Sequence, residues 1–208
     1  MKGRFWVFEG MDGAGKSTQA GLLFDYLKAE GRNPLHVREP GTTNLGELLR
    51  KLLLDVDRED WHPRSEALLF FTARNELLYR QVLPELEGGR DVICERFTPS
   101  TLAYQAHSEE DIAFVLGVHN LVVGDAFEPD GVFILDCSPE TSFERVARGD
   151  LDGFEKRGLE FQRLVRSGYH KFASQYPEVS FILDSDKFTI EEIHEQLVKL
   201  VGGYGSHN

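Results

Sequence analysis

Nine residues near the N-terminus constrain this chain more than any others. Residues 10–18 read Gly-Met-Asp-Gly-Ala-Gly-Lys-Ser-Thr and directly follow a short apolar run at 5–8. The pattern G-x-x-x-x-G-K-[ST] between a strand and a helix is typical of a phosphate-binding loop. Its glycines let backbone N–H groups point into one concavity, and the following helix adds its positive N-terminal end. The sequence therefore predicts a nucleotide-binding unit in preference to a glycine-rich turn without a ligand.

The last residues of this motif extend the prediction to a metal-bound triphosphate. Lys16 brings a full positive charge next to the loop, which suits a polyphosphate. Ser17 brings a hydroxyl group for the Mg²⁺ that accompanies a nucleoside triphosphate in this motif. We therefore expect Mg²⁺ as the cofactor, bound where the helix begins.

The acidic composition argues against two classes of partner. The 208 residues contain 23 Lys and Arg against 35 Asp and Glu, a net charge of −12. Such a surface repels nucleic-acid polymers and anionic membranes, and no apolar run approaches the roughly 18 residues of a membrane span. An acidic protein that binds polyanions must gather its arginines at the site, so the arginine positions are informative.

The length and the terminal segments predict one domain in the cytoplasm. We expect a single domain over residues 1–202 that includes a lid at about 145–157, followed by a loose tail at 203–208. The N-terminus enters a predicted strand at once, which leaves no room for a signal or transit peptide. Cys94 and Cys137 lack C-x-x-C spacing, so we expect buried reduced thiols in preference to a disulfide or redox pair.

Short apolar runs alternate with longer amphipathic stretches along the chain, a pattern typical of βαβ units. The predicted strands are 4–9, 34–38, 90–95, 131–136 and 179–183. The predicted helices are 16–30, 44–55, 64–87, 109–124, 139–148, 154–175 and 188–202. We therefore predict an α/β fold with a five-stranded parallel sheet flanked by helices, and in such sheets ligands bind beyond the carboxyl ends of the strands.

Carboxylates at three predicted strand ends are candidates for holding Mg²⁺ or its water ligands. Glu95 directly follows the apolar residues 92–94, and we interpret it as functional. Asp136 precedes a predicted helix start, so capping or structural support is the favoured interpretation. Asp184 is interpreted as structural or as lying near a nucleotide base.

Four arginines are predicted at strand ends or on helices that face the same cleft, namely Arg38, Arg50, Arg74 and Arg96. A planar guanidinium group suits bidentate phosphate binding and stays charged at any relevant pH. Phe70 lies one helical turn before Arg74, so the ring and the guanidinium share a face that suits a nucleobase and its polar edge. The alternative is a core phenylalanine beside a surface arginine, but the wider set of arginines favours the nucleobase.

Taken together, these residues resemble the thymidylate kinase family in order and spacing, from about residue 4 to about residue 200. The matching segments are 8–18, 38–42, 70–74, 95–97, 100–105 and 148–155. The resemblance implies a P-loop NTPase fold with a short helical lid. It also implies transfer of the ATP γ-phosphoryl group to dTMP, giving dTDP and ADP for dTTP synthesis, and a homodimer formed through helices around 64–87 and 109–124.

The resemblance also implies roles for individual residues. The ATP site would contain Gly10, Asp12, Gly13, Ala14, Gly15, Lys16, Ser17 and Thr18. The dTMP site would contain Asp12, Arg38, Arg50, Phe70, Arg74, Arg96, Thr101, Tyr104 and Gln105. The metal or its water ligands would be held by Ser17, Asp12 and Glu95. The catalytic residues would be Lys16, Arg96, Arg148, Asp12 and Glu95.

Within the dTMP site, the resemblance implies stacking of Phe70 on thymine, with Arg74 at the edge of the base. Arg38 and Arg96 would hold the acceptor phosphate. Asp12 would lie near the 3′-hydroxyl group. Tyr104 would lie where a ribose 2′-hydroxyl group would intrude, which implies a deoxynucleotide acceptor.

The family divides according to the origin of its catalytic arginine. One group carries it in the phosphate loop, at the position of Gly13, and the other supplies it from the lid. With glycine at this position, the chain is similar to the second group. Arg148 is the lid candidate, with Arg145 and Arg157 in reserve. The alternative for Arg148 is a solvated cation at a helix end.

Three positions depart from the family pattern. Thr42 replaces the second glycine of Arg-Glu-Pro-Gly-Gly-Thr, which restricts that turn. Glu95 replaces an aspartate and is one methylene longer, so the metal or water geometry shifts. Gly153 replaces the arginine of the lid motif Asp-Arg-x-Glu, which puts the origin of the lid arginine in question.

Two other functions remain open at this point. A different nucleoside monophosphate kinase would accept dUMP or UMP, although Phe70, Arg74 and Tyr104 argue against it. A nucleotide-binding switch protein would need no lid arginine, and no Asn-Lys-x-Asp motif for guanine selection is present. His107 and His119 lack metal-ligand spacing, and we interpret both as structural.

Overall fold

A parallel β-sheet forms the centre of the molecule, as predicted. The computed structural model describes residues 2–55, 57, 61–124, 128–146 and 154–203. The strands in this part of the chain are β1 (Phe5–Glu9), β2 (Leu35–Arg38), β3 (Val92–Glu95), β4 (Gly131–Asp136) and β5 (Ser180–Asp184). Their order in the five-stranded sheet is β2-β3-β1-β4-β5, and every neighbouring pair is parallel.

Helices flank this sheet. Those in the described ranges are α1 (Lys16–Ala29), α2 (Asn44–Leu54), α3 (Pro63–Leu77), α4 (Leu83–Glu87), α5 (Thr98–Gln105), α6 (Glu109–Val122), α7 (Pro139–Val146), α8 (Gly158–Gln175) and α9 (Ile190–Gly203). In these ranges we find no helix with the length and apolar character needed to cross a membrane.

Strand β1 lies at the middle of the sheet and carries the apolar run that precedes the phosphate-binding motif. Residues 5–8 are each at most 1% exposed. Because β1 is paired on both edges and covered on both faces, its side chains form a continuous apolar run instead of alternating with polar ones. The ring centroids of Trp6 and Phe8 lie 5.9 and 5.3 Å from that of Phe133 on β4. This packing gives the loop after Glu9 a rigid base.

The sheet order explains where a ligand can bind. From β1 the chain crosses to β2 at one edge of the sheet. From β3 it crosses in the opposite direction, past β1, to β4. The carboxyl ends of β1 and β3 therefore form a topological switch point, and ligands of open α/β sheets bind in the crevice beyond it. The phosphate-binding motif and Glu95 lie at this edge.

The predicted continuous helix over 64–87 is interrupted. Helix α3 ends at Leu77, and a π-helical turn, Leu78–Val82, joins it to α4. Pro84 is the second residue of α4 and has no N–H group to donate to the carbonyl of residue 80. The wider π turn accommodates this missing hydrogen bond immediately before the proline.

Helix α5 was not predicted from the sequence. Its N-terminal residue Phe97 has no side-chain cap. Instead, Oε1 of Glu9 on β1 accepts hydrogen bonds from the backbone N–H groups of Phe97 at 2.7 Å and Ser100 at 3.2 Å. A carboxylate satisfies the free N–H groups at a helix start, and here it comes from a distant part of the chain. Local sequence therefore carried no signal for this helix.

The other boundaries lie close to the predicted ones. Residues 155–157 form a 3₁₀ turn, so α8 begins at Gly158 and not at 154. Helix α7 is described to Val146, and the predicted helical residues 147 and 148 lie outside the described residues. Most of the predicted lid and the tail at 204–208 also lie outside them. Each remaining strand and helix begins and ends within two residues of its prediction.

Candidate active site

The loop between β1 and α1 wraps around the amino group of Lys16. Gly10 and Gly15 have φ angles of 132° and 101°, which favour glycine. A Cβ atom at Gly10 would also lie 2.3 Å from the carbonyl oxygen of Leu135. Nζ of Lys16 donates to the carbonyl oxygens of Gly10 at 3.0 Å and Met11 at 2.8 Å. The backbone of the loop thus holds this cation at the floor of the crevice.

Asp12 in the same loop lies between two cations. Its Oδ1 accepts a hydrogen bond from Nη2 of Arg96 at 2.5 Å and lies 3.5 Å from Nζ of Lys16. Burial by itself would raise the pKa of Asp12, but the two positive charges lower it far below its usual value. Asp12 is therefore ionised, and its other oxygen, Oδ2, lies 3.5 Å from the hydroxyl of Tyr104.

Arg96 adopts a left-handed backbone conformation with a φ of 68°. Such a conformation costs a non-glycine residue about 1–3 kcal/mol, and the surrounding contacts must offset this cost. Its Nη1 donates to the Gly10 carbonyl oxygen at 3.2 Å and to the hydroxyls of Ser100 and Tyr169, both at 3.1 Å. These contacts hold the guanidinium of Arg96 over the phosphate loop.

Glu9 supports Arg96 from below, and the sequence analysis did not include it among the site residues. It is completely buried, and its carboxylate accepts hydrogen bonds from the hydroxyls of Ser100 at 2.5 Å and Tyr169 at 3.2 Å. Burial raises the pKa of Glu9 against the lowering effect of the hydrogen bond from Ser100 and of the charge on Arg96. The available signal was an acidic residue at the end of a fully apolar strand.

A hydroxyl and a carboxylate meet at the start of α1. Glu95 accepts a hydrogen bond from Oγ of Ser17 through Oε2, while its Oε1 lies 2.9 Å from Nε2 of His36. Burial would raise the pKa of Glu95, but the hydrogen bonds from His36 and Ser17 lower it. Oxygen donors of this kind suit Mg²⁺, which takes its other ligands from substrate phosphates and water. Accordingly, no group of three or more His, Cys, Asp or Glu in the described ranges could hold a metal.

A first cleft of about 520 Å³ opens beside Arg96. Its lining residues are Asp12, Glu39, Pro40, Arg50, Leu54, Phe70, Arg74, Arg96, Ser100, Thr101, Tyr104, Gln105 and Phe154. All residues predicted for the monophosphate site line this cleft except Arg38. The ring centroid of Phe154 lies 6.0 Å from that of Phe70 and 5.8 Å from that of Tyr104. The first cleft therefore has an aromatic wall and a charged end.

Arg74 reaches the first cleft as a buried cation, 1% exposed. Its Nε donates to Oε2 of Glu39 at 2.7 Å, and its Nη2 donates to the hydroxyl of Thr101 at 3.2 Å. Nη1 is buried without a hydrogen-bond partner among the described residues. Burial raises the pKa of Glu39 to about 7, against the lowering effect of Arg74. A buried donor without a partner is costly, so it favours a ligand that brings an acceptor.

Gln105 has its amide orientation set by a neighbouring carboxylate. Its Nε2 donates to Oε2 of Glu66 at 3.1 Å, and both side chains are at most 1% exposed. Because a carboxylate can only accept here, the amide nitrogen must face Glu66 and the carbonyl oxygen Oε1 must face the other way. The sequence analysis did not identify Glu66, since one acidic residue in the first turn of a helix is an ordinary feature.

A second cleft of about 800 Å³ lies over the phosphate loop. Its lining residues are Asp12, Gly13, Gly15, Lys16, Ser17, Thr18, Arg38, Glu39, Arg50, Glu95 and Arg96. Two residues predicted for the triphosphate site, Gly10 and Ala14, are buried beneath the loop and do not line this cleft. The two clefts share Asp12, Glu39, Arg50 and Arg96, so they are compartments of one site.

Three guanidinium groups surround the junction of the two clefts. Burial and the positive charges of Arg38 and Arg96 lower the pKa of Arg50. Nη1 of Arg50 donates to the carbonyl oxygen of Pro40 at 3.1 Å, and Arg38 contacts Glu47 at 3.3 Å with half of its side chain exposed. Like charges held this close favour a bound anion, which would relieve their repulsion.

Thr42 takes the place of a glycine without loss of the turn. It has a φ of 67°, a conformation that costs a threonine energy. Its hydroxyl accepts from the N–H of Arg38 at 3.0 Å and donates to the Arg38 carbonyl oxygen at 3.2 Å. These two hydrogen bonds offset the strain and keep Arg38 at the end of β2.

Comparison with known proteins shows the family of this chain. A sequence model of the thymidylate kinase family matches residues 8–197. The chain belongs to the thymidylate kinase family. The thymidylate kinase of Dinoroseobacter shibae is 42% identical over 188 residues, which cover 89% of this chain and 90% of that protein. The thymidylate kinase of Fervidobacterium nodosum is 38% identical over 200 residues, which cover 96% and 99%.

A solved structure of a thymidylate kinase is also similar to this chain. The crystal structure of thymidylate kinase from Ehrlichia chaffeensis matches with a TM-score of 0.78 and 30% sequence identity, covering 97% of this chain and 100% of that one. The chain is therefore a transferase of nucleotide biosynthesis with a P-loop NTPase fold. It phosphorylates dTMP to dTDP and uses ATP as the donor.

Two of the three arginines predicted for the lid lie within the described residues. Arg148 lies outside the described residues. Arg145 donates from Nη1 to the carbonyl oxygen of Gly13 at 3.2 Å and from Nη2 to that of Ser185 at 3.0 Å, so it lies beside the phosphate loop. Arg157 instead forms an ion pair with Glu66 at 2.5 Å, next to the first cleft.

Several other predicted residues have structural roles. Asp136 accepts two hydrogen bonds from Arg166, at 2.8 and 2.7 Å, in agreement with the structural interpretation. Asp184 accepts from two backbone N–H groups of its own turn, both at 3.0 Å. Cys94 and Cys137 are buried and free, as predicted.

The two histidines singled out in the sequence also contact neighbouring protein groups. Nδ1 of His119 lies 2.9 Å from the hydroxyl of Thr98. Nε2 of His107 lies 3.1 Å from the carbonyl oxygen of Tyr104. The first contact joins α6 to α5, the second binds the segment after α5 to that helix, and both agree with a structural interpretation.

Proposed function

We propose that the first cleft binds dTMP, that the second binds ATP, and that the phosphoryl group crosses at their junction. The observation that carries this assignment is the shared wall of Asp12, Glu39, Arg50 and Arg96, which includes two cations. A kinase that joins two nucleotides must bring two polyanions together, and cations common to both sites offset that repulsion. A switch protein that binds one nucleotide needs no second cleft of this kind.

The base of dTMP fits the polar groups at the closed end of the first cleft. Phe70 supplies a ring on which thymine can stack. The unpartnered Nη1 of Arg74 would donate to O4 of thymine, and Oε1 of Gln105 would accept from its N3–H group. Cytosine has an unprotonated N3 and an amino group at the 4-position, so it would leave both protein groups unpaired. A mismatch of this kind is strongly disfavoured in a buried site.

The sugar of dTMP would lie between Asp12 and Tyr104. The ionised carboxylate of Asp12 can accept a hydrogen bond from the 3′-hydroxyl group. The hydroxyl of Tyr104 already lies 3.5 Å from this carboxylate, so a ribose 2′-hydroxyl would compete for the same space. Thr101, which binds Arg74 at the cleft wall, helps to shape the pocket. This arrangement supports a deoxynucleotide acceptor.

Phosphoryl transfer in this site relies on alignment and charge neutralisation. Arg38, Arg50 and Arg96 would hold the phosphate of dTMP, while Lys16 would bind the ATP phosphates. The attacking phosphate oxygen carries no proton to be removed, so we assign no general base. The loop residues Gly10 to Thr18 provide the remaining ATP contacts, with Gly10 and Ala14 acting through the shape of the loop.

The residues at the start of α1 fit Mg²⁺. Ser17, Glu95 and Asp12 would hold the ion or its water ligands, and the ion would neutralise charge on the ATP phosphates. Ser17 and Glu95 are already in hydrogen-bond contact, and the lowered pKa keeps the Glu95 carboxylate ionised. Both features support a hard cation bound through oxygen atoms.

We assign this kinase to the group that supplies its catalytic arginine from the lid, with Arg148 as the arginine. Gly13 supports this assignment, because its φ of 74° disfavours a larger residue. A Cβ atom at position 13 would also lie 3.0 Å from the Ser142 carbonyl oxygen and 3.1 Å from Cβ of Arg145. An arginine at this position would therefore be strained and crowded.

We also propose a homodimer, formed through α3 and α6 and extended by α2. Large apolar side chains are exposed on these helices, with Leu48 at 64%, Leu68 at 48% and Leu121 at 85%. Helix α3 packs against both α2 and α6, so the three form one surface. The two free buried thiols and the nucleotide substrates support a cytoplasmic location.

A coupled assay of ADP release tests the assignment of the two clefts. The assay would use dTMP, dUMP, UMP and dCMP as acceptors, each with and without Mg²⁺. We expect ADP release that depends on both dTMP and Mg²⁺, with little turnover of UMP and dCMP. ATP hydrolysis that is unaffected by any monophosphate would instead identify a nucleotide-binding switch.

A further inference from the structure

Arg157 joins the lid side of the protein to the closed end of the first cleft. Its Nη2 lies 2.5 Å from Oε1 of Glu66, whose side chain is completely buried. The guanidinium also lies against two rings, 4.7 Å from the centroid of Phe154 and 5.0 Å from that of Phe161. Arg157 thus binds a residue of α3 while it packs on aromatic residues from both sides of the 3₁₀ turn.

Both groups that Arg157 contacts belong to the environment of the acceptor base. Phe154 lines the first cleft opposite Phe70 and is 4% exposed. Glu66 accepts the hydrogen bond that orients the amide of Gln105. A buried carboxylate needs a cation or several donors, because an isolated buried charge is costly. The ion pair with Arg157 therefore keeps Glu66 in its role as an acceptor.

We propose that Arg157 is a positioning residue that determines base specificity. It holds Glu66 in place as an acceptor, Glu66 fixes the amide of Gln105, and Oε1 of Gln105 is left to face N3–H of thymine. The guanidinium of Arg157 also holds the ring of Phe154 over the first cleft. The segment next to the predicted lid and the residues that face the edge of the base are therefore positioned by the same side chain. This inference rests on the proposed binding of dTMP in the first cleft.

The position of Arg157 distinguishes this role from catalysis. Arg157 is not among the described residues that line the second cleft, over the phosphate loop. Its guanidinium is engaged by a carboxylate and by two rings, while catalytic lid arginines contact the transferring phosphoryl group. We therefore expect its removal to change acceptor binding and not the rate of the chemical step.

The test compares Arg157→Gln with the wild-type enzyme and with Arg163→Gln. Arg163 lies on α8, which begins directly after Arg157, and its exposed side chain forms ion pairs with Glu140 and Glu160, so it is a matched control. Affinity for dTMP is measured by calorimetry without ATP, and kcat and KM are measured for dTMP and dCMP. In Arg157→Gln we expect about tenfold weaker dTMP binding, an unchanged kcat at saturation and a smaller preference for dTMP over dCMP.

A second pair of variants separates positioning from a loss of stability. Arg157→Lys retains a charge for Glu66 and should recover part of the dTMP affinity, although it lacks the planar fork. Glu66→Gln should also weaken the preference for dTMP, because a neutral amide lets the Gln105 amide turn over. Soluble expression and the thermal midpoint establish that each variant is folded.

Three results would overturn the proposal. A large loss of kcat in Arg157→Gln with unchanged dTMP affinity would show a catalytic role. Unchanged affinity, kcat and base preference in both Arg157→Gln and Glu66→Gln would show a merely structural ion pair. An equal loss for dTMP and dCMP would show that Arg157 does not act on the base. Failure of the wild-type enzyme to bind dTMP without ATP would instead contradict the proposed first cleft.

Discussion

At the scale of single residues, the site depends on buried charges that are only partly paired. Arg74 makes an ion pair with Glu39 and a hydrogen bond to Thr101, yet its Nη1 is buried without a hydrogen-bond partner among the described residues. An unsatisfied buried donor costs about 1–3 kcal/mol, and a ligand that brings an acceptor removes this cost. A ligand that brings an acceptor to Arg74 would therefore meet a donor that is already placed and desolvated.

The Glu39–Arg74 pair predicts a pH dependence of base binding. Burial raises the pKa of Glu39 to about 7, so the carboxyl group is protonated below this pH and ionised above it. Only the ionised form makes the full ion pair that positions Arg74. We expect the affinity for thymidine, which has no phosphate group that titrates, to rise severalfold between pH 6 and 8.

Calorimetry of thymidine binding across this range checks the prediction. The Glu39→Gln variant is the control, and it should bind thymidine with a flat profile because a glutamine does not titrate. A wild-type profile that is already flat, or one that falls as the pH rises, would contradict the role of Glu39.

The contact between His36 and Glu95 predicts a second residue-scale effect. Because Glu95 is one methylene longer than the aspartate of the family pattern, it can reach both Ser17 and His36. In His36→Ala the Glu95 carboxylate loses its contact with the imidazole. We expect about tenfold weaker Mg²⁺ binding, as is typical when the partner of a metal-binding group is removed. Binding of Mg²⁺·ATP by calorimetry and the Mg²⁺ concentration for half-maximal activity both measure this.

A double-mutant cycle provides the control for this effect. In a Glu95→Asp background the shorter carboxylate cannot reach both partners, so His36→Ala should then have almost no further effect. Equal effects of His36→Ala in the two backgrounds would mean that the histidine acts independently of Glu95.

At the scale of elements, each part of the site belongs to a different strand end or helix. Helix α5 carries Thr101, Tyr104 and Gln105, and its start is capped by Glu9 from β1. The same Glu9 binds Tyr169 on α8, which in turn supports Arg96 after β3. One buried carboxylate therefore aligns three elements, and this coupling keeps the first cleft in register with the phosphate loop.

Arg145 and Arg148 both belong to the predicted lid, and we expect their removal to have different effects on the kinetics. In Arg148→Ala we expect kcat to fall by about 10³-fold with little change in ATP or dTMP affinity, the usual effect of losing an arginine that contacts the transferring group. In Arg145→Ala we expect a higher KM for ATP, because Arg145 borders the loop at Gly13 and Ser185. Steady-state kinetics of the two variants make the comparison. An unchanged kcat in Arg148→Ala would refute its catalytic assignment.

At the scale of the whole molecule, the surface formed by α2, α3 and α6 predicts the oligomeric state. We expect sedimentation as a dimer, and we expect the double variant Leu48→Glu/Leu68→Glu to sediment as a monomer because charges are not tolerated in an apolar interface. Leu164 on α8 is also exposed, at 53%, so Leu164→Glu is a matched control that should remain dimeric. A monomeric wild-type protein would disprove the proposed interface.

Much of this architecture could be predicted because its signals are local. The phosphate loop has a backbone pattern that requires glycine at set positions, and each strand is a short apolar run between turn residues. Helix α5 could not be predicted, since its cap comes from Glu9, and the break in the helix over 64–87 depends on how a proline is accommodated. The lid segment 147–153 lies outside the described residues, so the assignment of Arg148 remains a prediction.

The sequence by itself determined the family, the order of the strands along the chain, and most of the residue types at the two clefts. These follow from spacing and from local conformational preference. Only the tertiary structure decided which of these residues meet: Arg74 with Glu39, Glu95 with His36, and Arg157 with Glu66. The partners in each pair are 35 to 91 residues apart. Contacts between residues so far apart in sequence arise from the packing of helices on the sheet, and they cannot be predicted from local sequence patterns.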